Sequence, residues 1–226
     1  MQGAELKKRY PKEIGDKKMG DFGDGAVTTK GKSRIHCLSV IGQIEGHYFL
    51  PEGQKATKYE QIIPELVEIE EDDEIDGLLM ILNTMGGDVE AGMAIAEMVA
   101  SMKKPSVSLV LGGGHSIGVP LATAAKKSFI VPTATMTLHP VRVSGVVLGA
   151  PQTFNYFEEM QKRIVNFICA HSSSTPDIIR ELMMRPDELA TDIGSIIEGR
   201  EAVEYGIIDA VGGLSDALAA LKEMKE

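Results

Sequence analysis

The 226-residue chain has no tryptophan, and only 5% of its residues are aromatic. Its core must therefore be built from aliphatic side chains, and 43% hydrophobic residues suffice for one sizeable core in one domain. No run approaches the roughly 18 consecutive apolar residues of a membrane helix, so no transmembrane segment is expected. The first residues are charged and carry no apolar stretch of secretory type, so a cytoplasmic protein is expected. The two cysteines, Cys37 and Cys169, have no metal-ligand spacing. Both sit in apolar stretches and read as buried thiols in a reducing compartment. No Gly-x-x-x-x-Gly-Lys-Ser/Thr phosphate loop is present.

Charge is scarce in one place and uneven elsewhere. No Asp or Glu occurs from Ile117 to Phe157. Residues 1–34 hold nine Lys/Arg and five Asp/Glu, a net of +4, and the remainder holds 14 basic and 28 acidic residues, a net of −14. A body of that sign repels nucleic acid, so no nucleic-acid partner is expected. The basic head, broken by Gly, Pro and acids, reads as a flexible segment, and residues 35–226 as the folded domain.

From Ile35 onward, apolar runs alternate with helical patterns. Strands are expected at Ile35–Ile44, Gly77–Leu82, Val107–Leu111, Phe129–Val131 and Thr135–Leu138. Helices are expected at Tyr59–Glu71, Asp88–Met102, Ile117–Ala125 and 153–170, with another opened by Thr175-Pro176-Asp177. A helical turn at Glu201–Tyr205, a strand at Ile207–Asp209 and a helix at Leu214–Met224 close the chain. Apolar strands joined by helices argue for an α/β fold with a parallel sheet.

The most informative segment is Gly112-Gly113-Gly114-His115-Ser116-Ile117-Gly118, between an expected strand and an expected helix. Gly114-x-Ser116-x-Gly118 is the pattern of a serine nucleophile on a tight strand-to-helix turn, where small neighbours let the backbone bend and the following N–H groups face a developing oxyanion. A serine N-cap after a glycine-rich turn has the same local pattern, so a base and an oxyanion site must support it. Of the five histidines, His36 lies in the first strand and His47 in the first loop. His115 adjoins the serine, and His171 ends the long helix. His139 sits at a strand end before Pro140, where parallel-sheet proteins place catalytic groups.

The third member would be a carboxylate that fixes the imidazole tautomer. The acid-free stretch makes the order Ser, acid, His awkward. The order Ser, His, Asp is open, with Asp192 leading and Asp187, Glu188 and Asp209 as competitors. A second glycine turn, Asn83-Thr84-Met85-Gly86-Gly87-Asp88, also joins a strand to a helix. Its backbone can approach a ligand closely, and the N–H groups of Gly87 and Ile117 are the candidate oxyanion hole, with Gly86 and Gly114 supporting the turns. Relief of crowding at a strand-to-helix turn explains the glycine pair equally well.

Together these segments resemble the Clp protease proteolytic subunit family. Asn83-Thr84-Met85-Gly86-Gly87 with Ala91-Gly92-Met93 resembles its Asn-Ser-Pro-Gly-Gly turn and following helix, Met85 standing where the family has Pro. Gly113 to Gly118 is similar to its nucleophile turn, and Met136-Thr137-Leu138-His139-Pro140 to the segment carrying its base. Glu201-Ala202-Val203-Glu204-Tyr205-Gly206 followed by Asp209 is similar to its last landmark, and the family's acid, a few residues before it, points to Asp192. Residues 35–74 are still more similar to the translocation-enhancing subgroup of spore-forming Gram-positive bacteria.

The resemblance implies a Clp protease/crotonase-like spiral of ββα units with a long handle helix. It also implies a homo-oligomeric ring, a heptamer or a double ring, with the active sites facing an inner chamber. The activity implied is serine endopeptidase hydrolysis of peptides or unfolded proteins through Ser116, His139 and Asp192. No metal or bound cofactor is required, and an ATPase chaperone or export partner would bring its own ATP. Two rivals stand beside this: a catalytically weak or inactive Clp-like scaffold assisting export or sporulation, and a crotonase-like acyl-CoA enzyme, which needs no Ser/His pair. A Ser/Lys mechanism is disfavoured because no Lys lies between Ser128 and Gln161.

Overall fold

A computed structural model describes residues 27–29, 33–142, 149–186 and 193–225. Three long parallel strands form its centre: β2 (Ile35–Glu45), β4 (Gly77–Gly87) and β5 (Ser106–Gly114), adjacent in that order. On the free edge of β2, β1 (Val27–Thr28) pairs antiparallel near one end and β3 (Ala56–Lys58) parallel near the other. Beyond β5, β6 (Lys127–Ile130) and β9 (Ala210–Val211) extend the sheet in parallel. A separate antiparallel pair, β7 (Thr135–Leu138) and β8 (Ser195–Glu198), meets the main sheet at a single register position, Gly113 opposite Thr135.

The unbroken apolar character of the central strands follows from burial on both faces. Along β4, Leu78, Met80 and Leu82 face the larger core with α1 (Tyr59–Glu71) and α2 (Val89–Ser101). Leu79 and the partly buried Ile81 face the other way, into a smaller cluster closed by Ala217 and Leu221 of the last helix. Each fully buried aliphatic side chain contributes roughly 1.5–3 kcal/mol relative to exposure. Asp88 starts α2 by accepting a hydrogen bond from the Ala91 N–H at 2.9 Å, as an N-cap does.

Five more helices are described: α3 (Gly118–Thr123), α4 (Ala150–Ala170), α5 (Pro176–Met184), α6 (Gly199–Glu204) and α7 (Leu214–Lys225). The fold is mixed α/β, the Clp protease-like architecture with its long helix α4. Where a strand is expected at Ile207–Asp209, the chain makes a turn, and the strand β9 follows it. Ile207 and Ile208 are apolar because they are buried in the core from that turn. Asp209 accepts hydrogen bonds from the N–H and Oγ of Ser128, at 2.7 and 3.0 Å. Cys37 and Cys169 are free and only partly buried, where full burial is expected from sequence, and burial pushes both thiols up from their ordinary pKa. Residues 1–26, most of the expected flexible head, lie outside the described residues, while Val27 and Thr28 belong to the sheet.

Candidate active site

The carboxyl ends of β4 and β5 are tied to each other before the nucleophile turn begins. Asn83 Oδ1 accepts from the Gly113 N–H at 3.1 Å, and the Thr84 carbonyl accepts from the His115 N–H at 3.1 Å. The turn is then fixed to β7, since the Ser116 N–H donates to the Thr137 carbonyl at 2.8 Å. Held on both sides, Ser116 adopts φ 57°, the one non-glycine residue with positive φ among the described residues. That left-handed conformation costs an L-residue roughly 1–2 kcal/mol, and such strain gathers where a side chain is aimed for a purpose.

Room for Ser116 comes from Gly86, which has φ +89°. A Cβ on Gly86 would lie 2.7 Å from Ser116 Cβ and 2.8 Å from the His115 carbonyl oxygen. At Gly114 a methyl group would meet only ordinary contacts, the nearest at 3.4 Å, so Gly86 is the glycine that this packing demands. Gly87 is pressed against β2, where a Cβ would overlap the Ile44 carbonyl. Thr84 shapes this strand end from beneath: its Oγ1 donates to the Gly42 carbonyl at 2.6 Å and accepts from the Gly86 N–H at 3.0 Å.

Two residues with backbone donors neighbour the serine: Ile117 follows it, and Gly87 follows Gly86, which packs on it. The Asp88 N–H donates to the Ile44 carbonyl at 3.0 Å, so strand alternation turns the preceding Gly87 N–H away from β2. The Ile117 N–H makes no hydrogen bond among the described residues. The helix it precedes, α3, has only six residues, too short for a substantial macrodipole, so the individual N–H is what this turn offers to an anion.

Ser116 and His139 line the same cavity, of about 320 Å³, together with Gly86, Gly87 and Ile117. Much of its remaining wall is apolar and includes Val89 of α2, Ile164 and Ile168 of α4, and Met183 of α5, while Gln43 and Arg142 also line it. His139 Nδ1 lies 2.7 Å from the Pro140 carbonyl oxygen. A carbonyl can only accept, so Nδ1 carries the proton and the neutral ring has its lone pair on Nε2.

The acid is the member this geometry does not supply. Asp192, Asp187 and Glu188 lie outside the described residues, between Arg185 and Gly194, which are joined by a 3.0 Å backbone hydrogen bond. Gly194 packs on His139, where a Cβ would come within 2.9 Å of His139 Cβ. The fourth candidate, Asp209, is held by Ser128 on β6. Among the other histidines, His36 is buried against Glu65, His47 stacks on Tyr59, and His171 bonds the Phe167 carbonyl at the end of α4. No group of three or more His, Cys, Asp or Glu able to hold a metal occurs among the described residues.

The Clp protease family model matches residues 31–214. The chain belongs to the Clp protease family. It is 56% identical over 209 residues to the translocation-enhancing protein TepA of Halalkalibacterium halodurans, a match covering 92% of this chain and 82% of that protein. It is also 25% identical over 137 residues to the ATP-dependent Clp protease proteolytic subunit 1 of Chlamydia muridarum, covering 59% of this chain and 69% of that one. No helix among the described residues is long and apolar enough to cross a membrane. Around this candidate site, three residues have structural parts that sequence motifs did not assign: Thr84, His115 and Thr137. Their partners lie 42, 22 and 22 residues away, out of reach of any local pattern.

Proposed function

We propose that the protein is a serine endopeptidase of the Clp type, hydrolysing peptides or unfolded polypeptides by an acyl-enzyme route. The observation that carries this reading is a single cavity shared by a strained serine, a histidine with its lone pair on Nε2, and two backbone N–H groups. His139 Nε2 takes the Ser116 proton as Oγ bonds to the peptide carbonyl carbon. The Gly87 and Ile117 N–H groups hold the negative oxygen. Collapse breaks the C–N bond, and the proton passes from His139 to the leaving amine. Water then repeats the sequence on the ester with His139 again as base, releasing the acid and restoring Ser116. Asp192 is the residue proposed to orient His139, a role that requires the Nδ1–H to turn from the Pro140 carbonyl to the carboxylate. The apolar wall suits an apolar side chain next to the scissile bond. Assembly into a homo-oligomeric ring and service to an ATPase or export partner in the cytoplasm belong to the same proposal.

The first experiment is labelling of the purified chain with a fluorophosphonate probe, beside Ser116→Ala and His139→Ala. Labelling of the parent that both substitutions abolish is the expected result, and a parent inert in every assembly state would sink the reading. In that event the scaffold reading takes its place. It draws on the relative at 56% identity, whose name speaks of translocation and not of hydrolysis.

A further inference from the structure

The proposed nucleophile and the proposed base follow two strands that share almost no ladder. Ser116 follows β5, His139 follows β7, and these strands are in register at one position only, Gly113 opposite Thr135. A ladder of several rungs would fix the separation between two strand ends, whereas a single rung leaves them free to shear or splay. Catalytic geometry tolerates little of this, because a displacement of about 1 Å can cost on the order of 10²-fold in rate. Something else must hold Ser116 and His139 in register.

The nucleophile turn supplies two further ties, both to Thr137, two residues before His139. One is the backbone bond from the Ser116 N–H to the Thr137 carbonyl, at 2.8 Å. The other joins side chains: His115 Nδ1 and Thr137 Oγ1 are 2.8 Å apart. The two bonds run from adjacent residues to opposite ends of one residue, so they resist rotation as well as separation. His115 is itself anchored from the other direction, its N–H donating to the Thr84 carbonyl at 3.1 Å. Its ring lies over Gly113, where any Cβ would overlap the imidazole. Burial holds the His115 pKa below its ordinary value, which keeps the ring neutral and able to share a hydrogen bond with a neutral hydroxyl. His115 is not among the residues lining the cavity of Ser116 and His139, so it acts through its neighbours.

We propose that His115 and Thr137 form a clamp that sets the distance between Ser116 and His139, His115 being a positioning residue of the site. The inference rests on the peptidase reading for its effect on rate, but its geometric content is independent of it.

The test uses the full-length chain with His115→Ala, Thr137→Val, the double variant, and two conservative replacements, His115→Asn and Thr137→Ser. Asn can place an oxygen near the position of Nδ1, and Ser keeps the hydroxyl. The fluorophosphonate rate constant and the melting temperature are measured for each, and crystal structures are determined for the parent and His115→Ala. The clamp predicts that His115→Ala and Thr137→Val each slow labelling by about 10- to 100-fold, and that the double variant is no slower than the worse single one, since one interaction is lost only once. Asn and Ser restore most of the rate. In the crystal, the Ser116 Oγ to His139 Nε2 distance lengthens by about 1 Å in His115→Ala.

An unchanged Ser116–His139 distance in that variant overturns the clamp, whatever the rates. So do melting temperatures that fall while rates on folded protein stay within twofold, or single effects that multiply in the double variant. A parent that takes no label, with the distance nonetheless lengthened in the variant, upholds the clamp and removes the peptidase reading.

Discussion

Two of the places where the described residues bring a hydroxyl and an imidazole near each other differ in the respects that matter for chemistry. At the start of β2, His36 is fully buried, with Nε2 2.8 Å from Glu65 Oε1 and Nδ1 2.9 Å from Thr28 Oγ1. Hydroxyl, ring and carboxylate are all present, and both ring nitrogens are used within the fold. No strained residue adjoins them, and none of the three lines the cavity of Ser116 and His139. At the carboxyl ends of β4 and β5, Ser116 is strained, Gly86 is crowded, and the Ile117 N–H has no partner among the described residues. A relay of side chains therefore does not make a site. What distinguishes the second place is the cavity beside the hydroxyl and a neighbouring backbone N–H, that of Ile117, without a partner among the described residues.

The largest effect expected from breaking this comparison is at the serine. Ser116→Ala should remove all probe labelling and lower peptide turnover by a factor on the order of 10⁶, the scale set by removing a triad nucleophile. Thr28→Val should leave labelling of the folded protein intact. Labelling that survives at Thr28 in the Ser116→Ala chain would erase the distinction between the two places.

The next effect falls on the strand end beside the serine. Gly86→Ala puts a methyl group where Ser116 Cβ stands 2.7 Å away, at a φ of +89°. Labelling should slow by about 10²-fold through displacement of Oγ, and the strained backbone should lose roughly 1–2 kcal/mol. Gly114→Ala is the control, since its methyl meets only ordinary contacts. Equal rates in these two variants would show that crowding at Gly86 does not position the serine.

Breaking the buried pair should do the reverse, harming stability and sparing chemistry. Glu65→Ala leaves His36 without its carboxylate partner in a buried setting, a loss of about 1–3 kcal/mol. For a chain of this size that is a drop of roughly 2–4 °C in melting temperature per kcal/mol. Thr28→Val should cost about 1 kcal/mol through one hydrogen bond. The labelling rate of folded protein is the check, and a large fall in it for Glu65→Ala would join two regions held here to be separate.

These contrasts also mark what was legible in the sequence. Helices announced themselves by periodicity, and α1 runs over Tyr59–Glu71 as its Ile and Leu spacing predicts. The strand expected to end at Leu82 continues to Gly87. Asn83-Thr84-Met85-Gly86-Gly87 reads as a turn because its residues favour turns, but the Thr84 bond to Gly42 and the close contact of Gly87 with Ile44 keep it extended. The strands β1, β3 and β8 have two to four residues each, too few to show an alternation. At the candidate site, the glycine turns and His139 stand out in the sequence because their patterns are local. The hydrogen bonds of Thr84 and His115 were not, since the fold alone brings their partners near.

The smallest expected effect concerns His115, which lies between the two extremes, half-buried and hydrogen-bonded beside the cavity. Burial lowers its folded pKa below the ordinary histidine value of about 6.5. In the unfolded chain the ring takes up a proton as pH falls through about 6.5, while in the folded chain it resists until lower pH. Between those points the unfolded state binds more protons, so acidification favours unfolding. The contribution of His115 to stability is complete above pH 6.5 and is lost as pH falls from there through the folded value. His115→Asn cannot titrate, so its urea midpoint should fall less between pH 7.5 and pH 5 than that of the parent. The remaining histidines and carboxylates contribute equally to both chains and cancel in the difference. Identical pH dependence in the two would mean that the ring protonates as readily in the fold as outside it, and that the space it occupies beside the cavity is as open to water as the site itself.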